Sequence, residues 1–369
     1  FLGSIVVCSA MLWFAMPGGQ GLSVGAIMVL LVVAYVSYTY SEVTHNAMLS
    51  VAGEPKRLAM ISGLGLGLGN LAATLIFLAI ALLFVLPAAI GWPFAIPQFG
   101  VDLSKFEHAR LAGPICAVWL AVFSIPFFLN ARDPGVPGAS WARAFRDGAV
   151  SVWRTLRAAT HYRELMKFLV ARMFYADGMA ALLALGAVYV ALFLGWNFLE
   201  MLCYAIFASA CAFAGGLIGG WLESKVGVKR ALLVEIMLMV LAGLTQLSIT
   251  RESLLLGLIE NSQVWDGPVF QTLSDIVYLS LISVVAITVM ASISSGRTML
   301  VTLAPPGRSG EFFGLYAIAG TITVWMGPLL VEQFTLWSGD QRIGMVSINI
   351  LFIIGFATLL TVRMPERAA

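Results

Sequence analysis

The sequence predicts an all-α protein of the membrane, and three features of the chain support this fold class. Hydrophobic residues make up 60% of the 369 residues and charged residues only 11%, whereas soluble proteins contain roughly 25% charged residues. Long apolar runs recur along the chain, and a helix needs about 20 apolar residues to cross a bilayer. The basic residues collect in alternate connections between these runs. We therefore expect an integral protein that crosses the membrane many times.

Ten apolar runs give the predicted spans. They cover residues 1–16, 22–45, 58–87, 109–129, 167–194, 199–221, 230–249, 273–296, 311–336 and 343–362. The first run is short for a span. The chain opens inside it with neither a methionine nor a charged n-region, which is not typical of a signal peptide, and we expect that the beginning of the protein is missing.

The distribution of basic residues predicts the orientation of the spans. Sixteen of the 21 Lys and Arg residues fall in one set of alternate connections, four fall in the other set, and Arg172 lies within a span. The positive-inside rule places the sixteen-residue side in the cytoplasm, and we expect the membrane to be a bacterial inner membrane. The net charge of +2 is too small to indicate a nucleic-acid partner.

The longest cytoplasmic connection divides the chain into three predicted parts. These are an N-terminal helix bundle in 1–130, a linker in 131–166 and a C-terminal six-helix bundle in 167–369. In the linker, aromatic residues alternate with arginines across 139–165, which favours an amphipathic helix at the membrane surface. The alternative is a solvated linker whose aromatic residues have no such role. This segment is also a candidate contact for a membrane protein partner.

Two segments of the chain resemble each other. Residues 46–69 align without gaps with residues 297–320, and seven of the 24 positions are identical. Both segments form a cytoplasmic turn between two spans. Because many transporters are built from duplicated halves, we expect twelve spans in two pseudo-symmetric six-helix bundles, with two spans preceding Phe1.

Small residues predict two close helix crossings. Gly63 and Gly67, like Gly65 and Gly69, form a G-x-x-x-G pair, and such pairs permit helix backbones to approach closely. This stretch is rich in glycine, but it is not a phosphate-binding loop.

The stretch 215–233 contains Gly219-Gly220, then Glu223, and then Lys225, Lys229 and Arg230. This pattern resembles the signature loop of the major facilitator superfamily. The resemblance implies a latch in which Glu223 pairs with a basic side chain and a helix N-terminus and opens when the two halves rock. The alternative is an ordinary positively charged turn.

A second pattern is more particular. Its elements are Asn46-Ala47-Met48-Leu49, Ser62-Gly63, Tyr175, Asp177, Gly178, Pro305-Pro306, Arg308, Glu311-Phe312-Phe313-Gly314-Leu315-Tyr316 and Gly327-Pro328. The chain is similar in these elements to the vacuolar amino-acid effluxer-like branch of the superfamily, whose yeast members are linked to autophagy. The resemblance implies a major facilitator fold, a substrate site near mid-membrane and alternating access without ATP hydrolysis. His45, Ser50, Ala176 and Thr321 depart from the pattern and leave the substrate open.

Two charged residues lie inside the span that begins near Lys167. Arg172 is roughly 7–8 Å into the membrane at 1.5 Å per residue, and it can extend toward the headgroups. Asp177 is roughly 15 Å deep, about half of the hydrocarbon core, and must face protein or a water-filled cavity. The two side chains are not expected to pair, because they lie on different faces of the helix. Asp177 is a candidate for proton exchange or for binding a substrate ammonium group, and the alternative is a structural carboxylate.

The remaining candidate residues fall into two groups. The candidates to join Asp177 in binding substrate or protons are Tyr175, Arg172, Asn70, Trp325 and Glu332. Arg297, Arg308 and Glu311 are candidates to join the latch residues in a cytoplasmic gate. Each of these side chains can instead serve helix packing or the membrane interface.

These features predict a secondary transporter that moves a small solute, such as an amino acid, with proton coupling. The alternative is a non-transporting accessory protein that holds a lipid, a pigment or a partner protein. An enzyme is not indicated, because no catalytic order of residues appears at usable spacing. The four cysteines, Cys8, Cys116, Cys203 and Cys211, show no metal or disulfide spacing, and we expect neither metal nor cofactor.

Overall fold

The computed structural model describes residues 1–16, 21–54, 57–87, 100–131, 140, 143, 146–148, 150, 153, 161–246, 248–305 and 308–365. Most of the predicted amphipathic segment 139–165 lies outside these residues, as does Pro306 of the second sequence pattern.

The described part of the chain is mostly helical, as predicted. Its helices are α1 Leu2–Met11, α2 Val24–Ala47, α3 Leu58–Ile80, α4 Glu107–Arg110, α5 Ala112–Asn130, α6 Arg163–Tyr189, α7 Phe198–Val226, α8 Val228–Gln246, α9 Leu273–Leu303, α10 Ser309–Ala319, α11 Met326–Ser338 and α12 Gln341–Leu360. Two strands, β1 Ser253–Leu254 and β2 Ile259–Glu260, form an antiparallel hairpin between α8 and α9. Turns of π-helix at Ala81–Val85 and Val190–Leu194 extend α3 and α6.

Each of the ten predicted runs falls on a helix, but the structure supports fewer than ten uninterrupted spans. Within the described residues, seven helices are long and apolar enough to cross a membrane. Of the other three runs, the first forms the short helix α1, and the seventh forms α8, which carries Lys229, Arg230 and Glu235. The ninth, residues 311–336, is divided into α10 and α11. The count of ten spans therefore stays a prediction.

The chain forms two compact units. The first contains Phe1–His45 and Ala72–Arg146. In it, α1 packs against α5, and a Cβ built on Gly113 would lie only 2.5 Å from the carbonyl oxygen of Ser9. The buried Arg110 donates from Nε to the Trp13 carbonyl at 2.8 Å and lies over the Trp13 ring, so it satisfies a free carbonyl where the first helix ends.

The second unit contains Asn46–Leu71 and Asp147–Ala369. In it, α7 presents small residues on two faces. One face packs on α9, where a Cβ built on Gly219 would lie 2.7 Å from the Ala291 Cα. The other packs on the first part of α3, where a Cβ on Gly216 would lie 2.7 Å from the Gly63 carbonyl oxygen. Helix backbones can approach this closely only where side chains are missing.

The two predicted glycine pairs of α3 have different outcomes. Gly63 and Gly67 are buried against α7, which confirms the first pair as a close crossing. Gly65 and Gly69 are exposed, and a Cβ built on either would meet nothing within 4 Å among the described residues, so a crossing at the second pair stays a prediction. The crossing uses one face of α3, and residues two positions away point about 200° around the helix.

Local signals fix the ends of two long helices. α7 begins with a capping box of Asn197 and Glu200, and α9 begins with a capping box of Thr272 and Asp275, in which side chains satisfy free backbone N–H groups. α7 ends at Gly227, whose φ of 85° is a conformation that favours glycine. This single residue lets α8 start at once in a new direction.

The two segments of the predicted repeat have corresponding local structure. Residues 46–69 contain the end of α2, a 3₁₀ turn at Met48–Val51 and the start of α3. Residues 297–320 contain the end of α9 and the whole of α10, and residues 306–307 between them lie outside the described residues. The twelve-span duplication and the division into 1–130, 131–166 and 167–369 stay predictions.

Candidate functional site

Asp177 lies near the middle of the long apolar helix α6. Asp177 lies 14 residues after Arg163, where α6 begins, and 17 residues before Leu194, where its π-helical extension ends. At about 1.5 Å per residue, either end is more than about 20 Å away. A short side chain at this depth cannot reach water beyond the helix ends.

The Asp177 carboxylate is buried without a hydrogen bond. The residue is 1% exposed, and neither carboxylate oxygen has a hydrogen-bond partner within the described residues. The backbone N–H of Gly327 acts favourably on the carboxylate. Because an isolated buried charge is very costly, this environment favours a proton or a cationic group on the carboxylate.

Gly327 belongs to the first turn of α11, which begins in the middle of the ninth predicted run. Residues 320–325, between α10 and α11, form turns rather than α-helix. At Gly327 the helices α6 and α11 touch. A Cβ built on Gly327 would collide with the Cβ of Ala181 and lie 3.5 Å from the Asp177 carbonyl oxygen. Pro328 follows in the first turn, where the missing N–H costs little. The Gly327-Pro328 element of the sequence therefore serves the start of α11 beside Asp177.

A side chain of the non-helical segment 320–325, the break between α10 and α11, also bonds to α6. Thr323 donates from its hydroxyl to the carbonyl oxygen of Met173 at 3.2 Å. One turn further along α6, Asp177 faces the first turn of α11. Three features therefore meet here: a buried acid, the free N–H groups that begin a helix, and an interrupted helix.

Arg172 of α6 contacts Tyr316 of α10. Its guanidinium carbon lies 3.3 Å from the centre of the Tyr316 ring, and its Nε donates to the Tyr316 carbonyl at 3.1 Å. A Cβ built on Gly320 would lie 3.0 Å from Nη2, so glycine leaves room for the guanidinium. Arg172 is half-buried, and the aromatic face of Tyr316 and a carbonyl near the end of α10 bind it, a contact that the sequence did not predict.

Arg172 and Asp177 do not contact one another, as their spacing predicts. Tyr175 lies between them in sequence and is 0% exposed. A Cβ built on Gly296 would lie 2.9 Å from the Tyr175 hydroxyl oxygen and 2.7 Å from that of Tyr316. Arg172, Tyr175 and Tyr316 therefore form a second polar group, and Asp177 lies on another face of α6.

The other candidate binding residues make their contacts with groups other than Asp177. Asn70 donates from Nδ2 to the Ser209 carbonyl at 3.2 Å and so joins α3 to α7. Trp325 is 60% exposed and donates from its indole to the Ile322 carbonyl at 3.2 Å. Glu332 is exposed on α11. Their roles in binding stay predictions.

The candidate gate residues separate into buried and exposed groups. Glu223 is 4% exposed and Arg297 is 8% exposed, whereas Lys225 and Arg230 are exposed. Arg308 forms an ion pair with Glu311, with 2.6 Å between Nη2 and Oε2.

Lys229 makes contacts that the latch hypothesis does not include. Its ammonium group donates to the carbonyl oxygens of Leu360 at 2.8 Å and Val362 at 2.7 Å. A lysine at this position satisfies carbonyl groups that have no partner within α12. In the structure Lys229 therefore fixes the end of α12.

Sequence reasoning missed Glu235 on α8. It is 1% exposed and accepts a hydrogen bond from the Ser295 hydroxyl at 3.0 Å. The sequence does show an acid within the apolar part of the seventh run. Because this acid lies close to the predicted cytoplasmic end of the run, an interfacial position would be expected for it. Its burial follows from how α8 packs on α9. Within the described residues, no cluster of His, Cys, Asp and Glu could hold a metal ion.

Known proteins resemble this chain in sequence. A family profile described as "Vacuole effluxer Atg22 like" matches residues 50–368. The MFS-type transporter YxiO of Bacillus subtilis is 24% identical over 377 residues, which cover 100% of this chain and 77% of that protein. Autophagy-related protein 22 of Botryotinia fuckeliana is 23% identical over 295 residues, or 76% of this chain and 46% of that protein. The chain thus spans about half the length of this fungal relative.

Solved structures share the fold. The major facilitator transporter FucP in its outward conformation gives a TM-score of 0.65 at 13% identity, covering 99% of this chain and 82% of that one. A bacterial homologue of the human lysosomal transporter Spinster gives a TM-score of 0.54 at 16% identity, covering 98% and 81%. The transport relatives, the fold and the apolar helices agree with one another. The chain belongs to the vacuole effluxer Atg22-like family of the major facilitator superfamily, a family of multi-pass membrane transporters.

Proposed function

We propose that this transporter moves a small solute by alternating access and couples the movement to protons. An amino acid is the first solute class to test, because the sequence resembles amino-acid effluxers. We further propose that the chain contributes to two six-helix bundles and lies in a bacterial inner membrane with the linker 131–166 in the cytoplasm. Family membership supports the transport activity, and the surroundings of Asp177 support the proton coupling.

The observation that carries the coupling is the unpaired Asp177 carboxylate. Both of its oxygens lack a hydrogen bond within the described residues, and the residue is 1% exposed. Ionisable groups in membrane spans face the protein interior or a water-filled cavity and mark ion and proton pathways. A protonated Asp177 is neutral and tolerates this environment. When the site opens to water, the carboxylate releases the proton and can bind the ammonium group of a solute.

The break between α10 and α11 supports alternating access. Discontinuous helices place backbone groups at transporter binding sites, and here the first turn of α11 faces Asp177 through Gly327. Movement of α11 against α6 would change both the electrostatic contact and the access of water to the carboxylate. The proposed cytoplasmic gate, formed by Glu223, Arg297 and the basic residues near them, would open and close the inner side.

The test is proton movement in proteoliposomes that contain the full-length protein and a trapped pH-sensitive dye. Each proteinogenic amino acid is added outside, and the internal pH is recorded. The intact transporter should move protons with at least one solute. Asp177→Asn should abolish that movement, because an amide can neither exchange a proton nor pair as a charged partner with the ammonium group of the solute, while the protein keeps its helical content and unfolding midpoint.

Asp266→Asn is the matched control, because Asp266 is an exposed acid of the connection between α8 and α9. This variant should retain full proton movement. Coupled movement that persists undiminished in Asp177→Asn would remove Asp177 from the mechanism. Absence of solute flux together with a stoichiometric copurifying protein would favour the alternative of a membrane accessory.

A further inference from the structure

Glu235 is a second acid buried in the interior of the second unit. It is the eighth residue of α8, which begins at Val228, so it lies about 10 Å along the helix from that end at 1.5 Å per residue. The side chain is 1% exposed. Packed neighbours therefore shield the carboxyl group from solvent.

The contacts of Glu235 leave half of its carboxyl group unsatisfied. Oε1 accepts a hydrogen bond from Ser295 of α9 at 3.0 Å, while Oε2 has no hydrogen-bond partner within the described residues. Among the residues that the structure describes, no Lys, Arg or His nitrogen lies within 4.0 Å of the Glu235 carboxyl oxygens. One hydroxyl donor does not offset the cost of burying a full charge.

The groups facing Glu235 do not supply a stabilising charge. From α7, the buried Glu223 is close enough to repel an ionised Glu235. From α6, the Tyr175 hydroxyl faces Glu235, and a negative charge on Glu235 would disfavour ionisation of Tyr175. On α9 the buried Arg297 follows Ser295 by two residues and lies beyond ion-pair distance. On α12 the charged residue is Arg342, which lies in the first turn and pairs with Asp340.

We propose that Glu235 is a proton-binding site of the transporter, separate from Asp177 and exchanging its proton with the cytoplasmic side. The structure holds Glu235 as the neutral acid, with its own proton on Oε2 and the Ser295 hydroxyl donating to Oε1. When α8 and α9 separate enough to admit water, the O–H bond breaks, the proton passes to water, and the carboxylate keeps the electron pair. The proposal rests on proton coupling, the function proposed above.

Two separate sites follow from the faces of α6. The Tyr175 hydroxyl lies against Gly296 of α9, next to Ser295, which binds Glu235, whereas Asp177 lies on the face that meets Gly327 of α11. Residues two positions apart on a helix point about 200° from one another. Asp177 and Glu235 are therefore on opposite sides of α6.

The experiment is infrared spectroscopy of the full-length protein in lipid bilayers, in which a protonated carboxyl group gives a carbonyl stretch distinct from that of a carboxylate. The wild type should show carboxyl bands at neutral pH. Glu235→Gln should remove one of them, and Asp177→Asn should remove a different one. Raising the pH should reduce the Glu235 band reversibly, because the proton exchanges with water.

Glu260→Gln is the matched control, since Glu260 is an exposed acid of the hairpin and should contribute no carboxyl band at neutral pH. A spectrum of Glu235→Gln that matches the wild type overturns the proposal, as does a Glu235 band that is lost only when the protein unfolds. If Glu235→Gln does not fold, Glu235→Asp replaces it: a shifted band supports the assignment, and an unmoved band overturns it.

Transport distinguishes this inference from the proposed function. Glu235→Gln should lower the number of protons moved per solute in the proteoliposome assay. If Glu235→Gln retains the full proton movement while Asp177→Asn abolishes it, this inference fails and the proposed function stands. If Asp177→Asn has no effect while Glu235→Gln alters proton movement, the role of Asp177 fails and Glu235 remains a coupling site.

Discussion

The crossing of α3 and α7 offers a sharp test of the structure, because two glycines of α3 differ only in the face they occupy. Gly63 is buried, and a Cβ built on it would collide with the Gly216 carbonyl oxygen and lie 3.2 Å from the Gly220 Cα. Gly65 is exposed, and a Cβ there would meet nothing within 4 Å. We therefore compare Gly63→Ala with Gly65→Ala.

The two substitutions should change stability in opposite directions. The atoms facing Gly63 are backbone atoms that cannot rotate away, so Gly63→Ala must separate the helices, and overpacking costs about 1–3 kcal/mol. Gly65→Ala meets open space and should stabilise the helix by about 0.5–1 kcal/mol, since alanine loses less backbone freedom than glycine. The expected difference is about 1.5–4 kcal/mol, or roughly tenfold to several hundredfold in the unfolding equilibrium.

The assay is unfolding of the purified protein in mixed micelles by increasing SDS, followed by circular dichroism and tryptophan fluorescence. Wild type, Gly63→Ala and Gly65→Ala are compared at the same lipid and detergent ratio. Free energies of unfolding for the two variants that agree within about 0.5 kcal/mol, the usual range of surface substitutions, would refute the close crossing. A destabilised Gly65→Ala variant would refute the assignment of its face.

Two further predictions concern charged side chains outside the proposed proton sites. Hydrogen bonds from Arg342 lower the pKa of Asp340, which caps α12. The pair therefore contributes stability above the ordinary carboxyl pKa, and the contribution is lost as the pH falls through the lowered value. Asp340→Asn should reduce the free energy of unfolding by up to about 1 kcal/mol near neutral pH, because the pair is partly exposed, with no difference from wild type at strongly acidic pH; a constant difference at all pH values would contradict the linkage. Arg172→Lys should destabilise the protein by about 0.5–2 kcal/mol in the SDS assay, because an ammonium group loses the planar stack on Tyr316, whereas Arg163→Lys on the exposed start of α6 should change it by less than about 0.5 kcal/mol.

Helix positions followed from the sequence because the apolar runs and their flanking residues act locally. The run 273–296 lies within α9, and the run 343–362 overlaps α12 closely. The ninth run was predicted as one span, yet it contains the break at 320–325. The sequence there remains apolar, and its β-branched residues are permitted in helix and turn alike. The contact of Thr323 with Met173 and the packing of Gly327 on α6 hold the break in place.

The candidate residues show the same division. The depth of Asp177 could be counted from the start of its span, so the sequence predicted that it must avoid lipid. The environments of Arg172 and Glu235 could not be predicted, since each depends on residues far along the chain. Arg172 binds Tyr316, 144 positions later, and Glu235 binds Ser295, 60 positions later. The family resemblance placed Tyr316 in a motif but did not indicate its contact.

The amino-acid sequence by itself determined that this protein belongs in a bilayer, which residues form its helices and which acid lies too deep for a short side chain to reach water. Each of these follows from hydrophobicity and helix length, which are additive along the chain. Only the tertiary structure decided which glycine face forms the α3–α7 crossing, that Arg172 binds Tyr316, and that Glu235 is buried. Those outcomes depend on contacts between distant segments, whose energies arise only when the helices pack together.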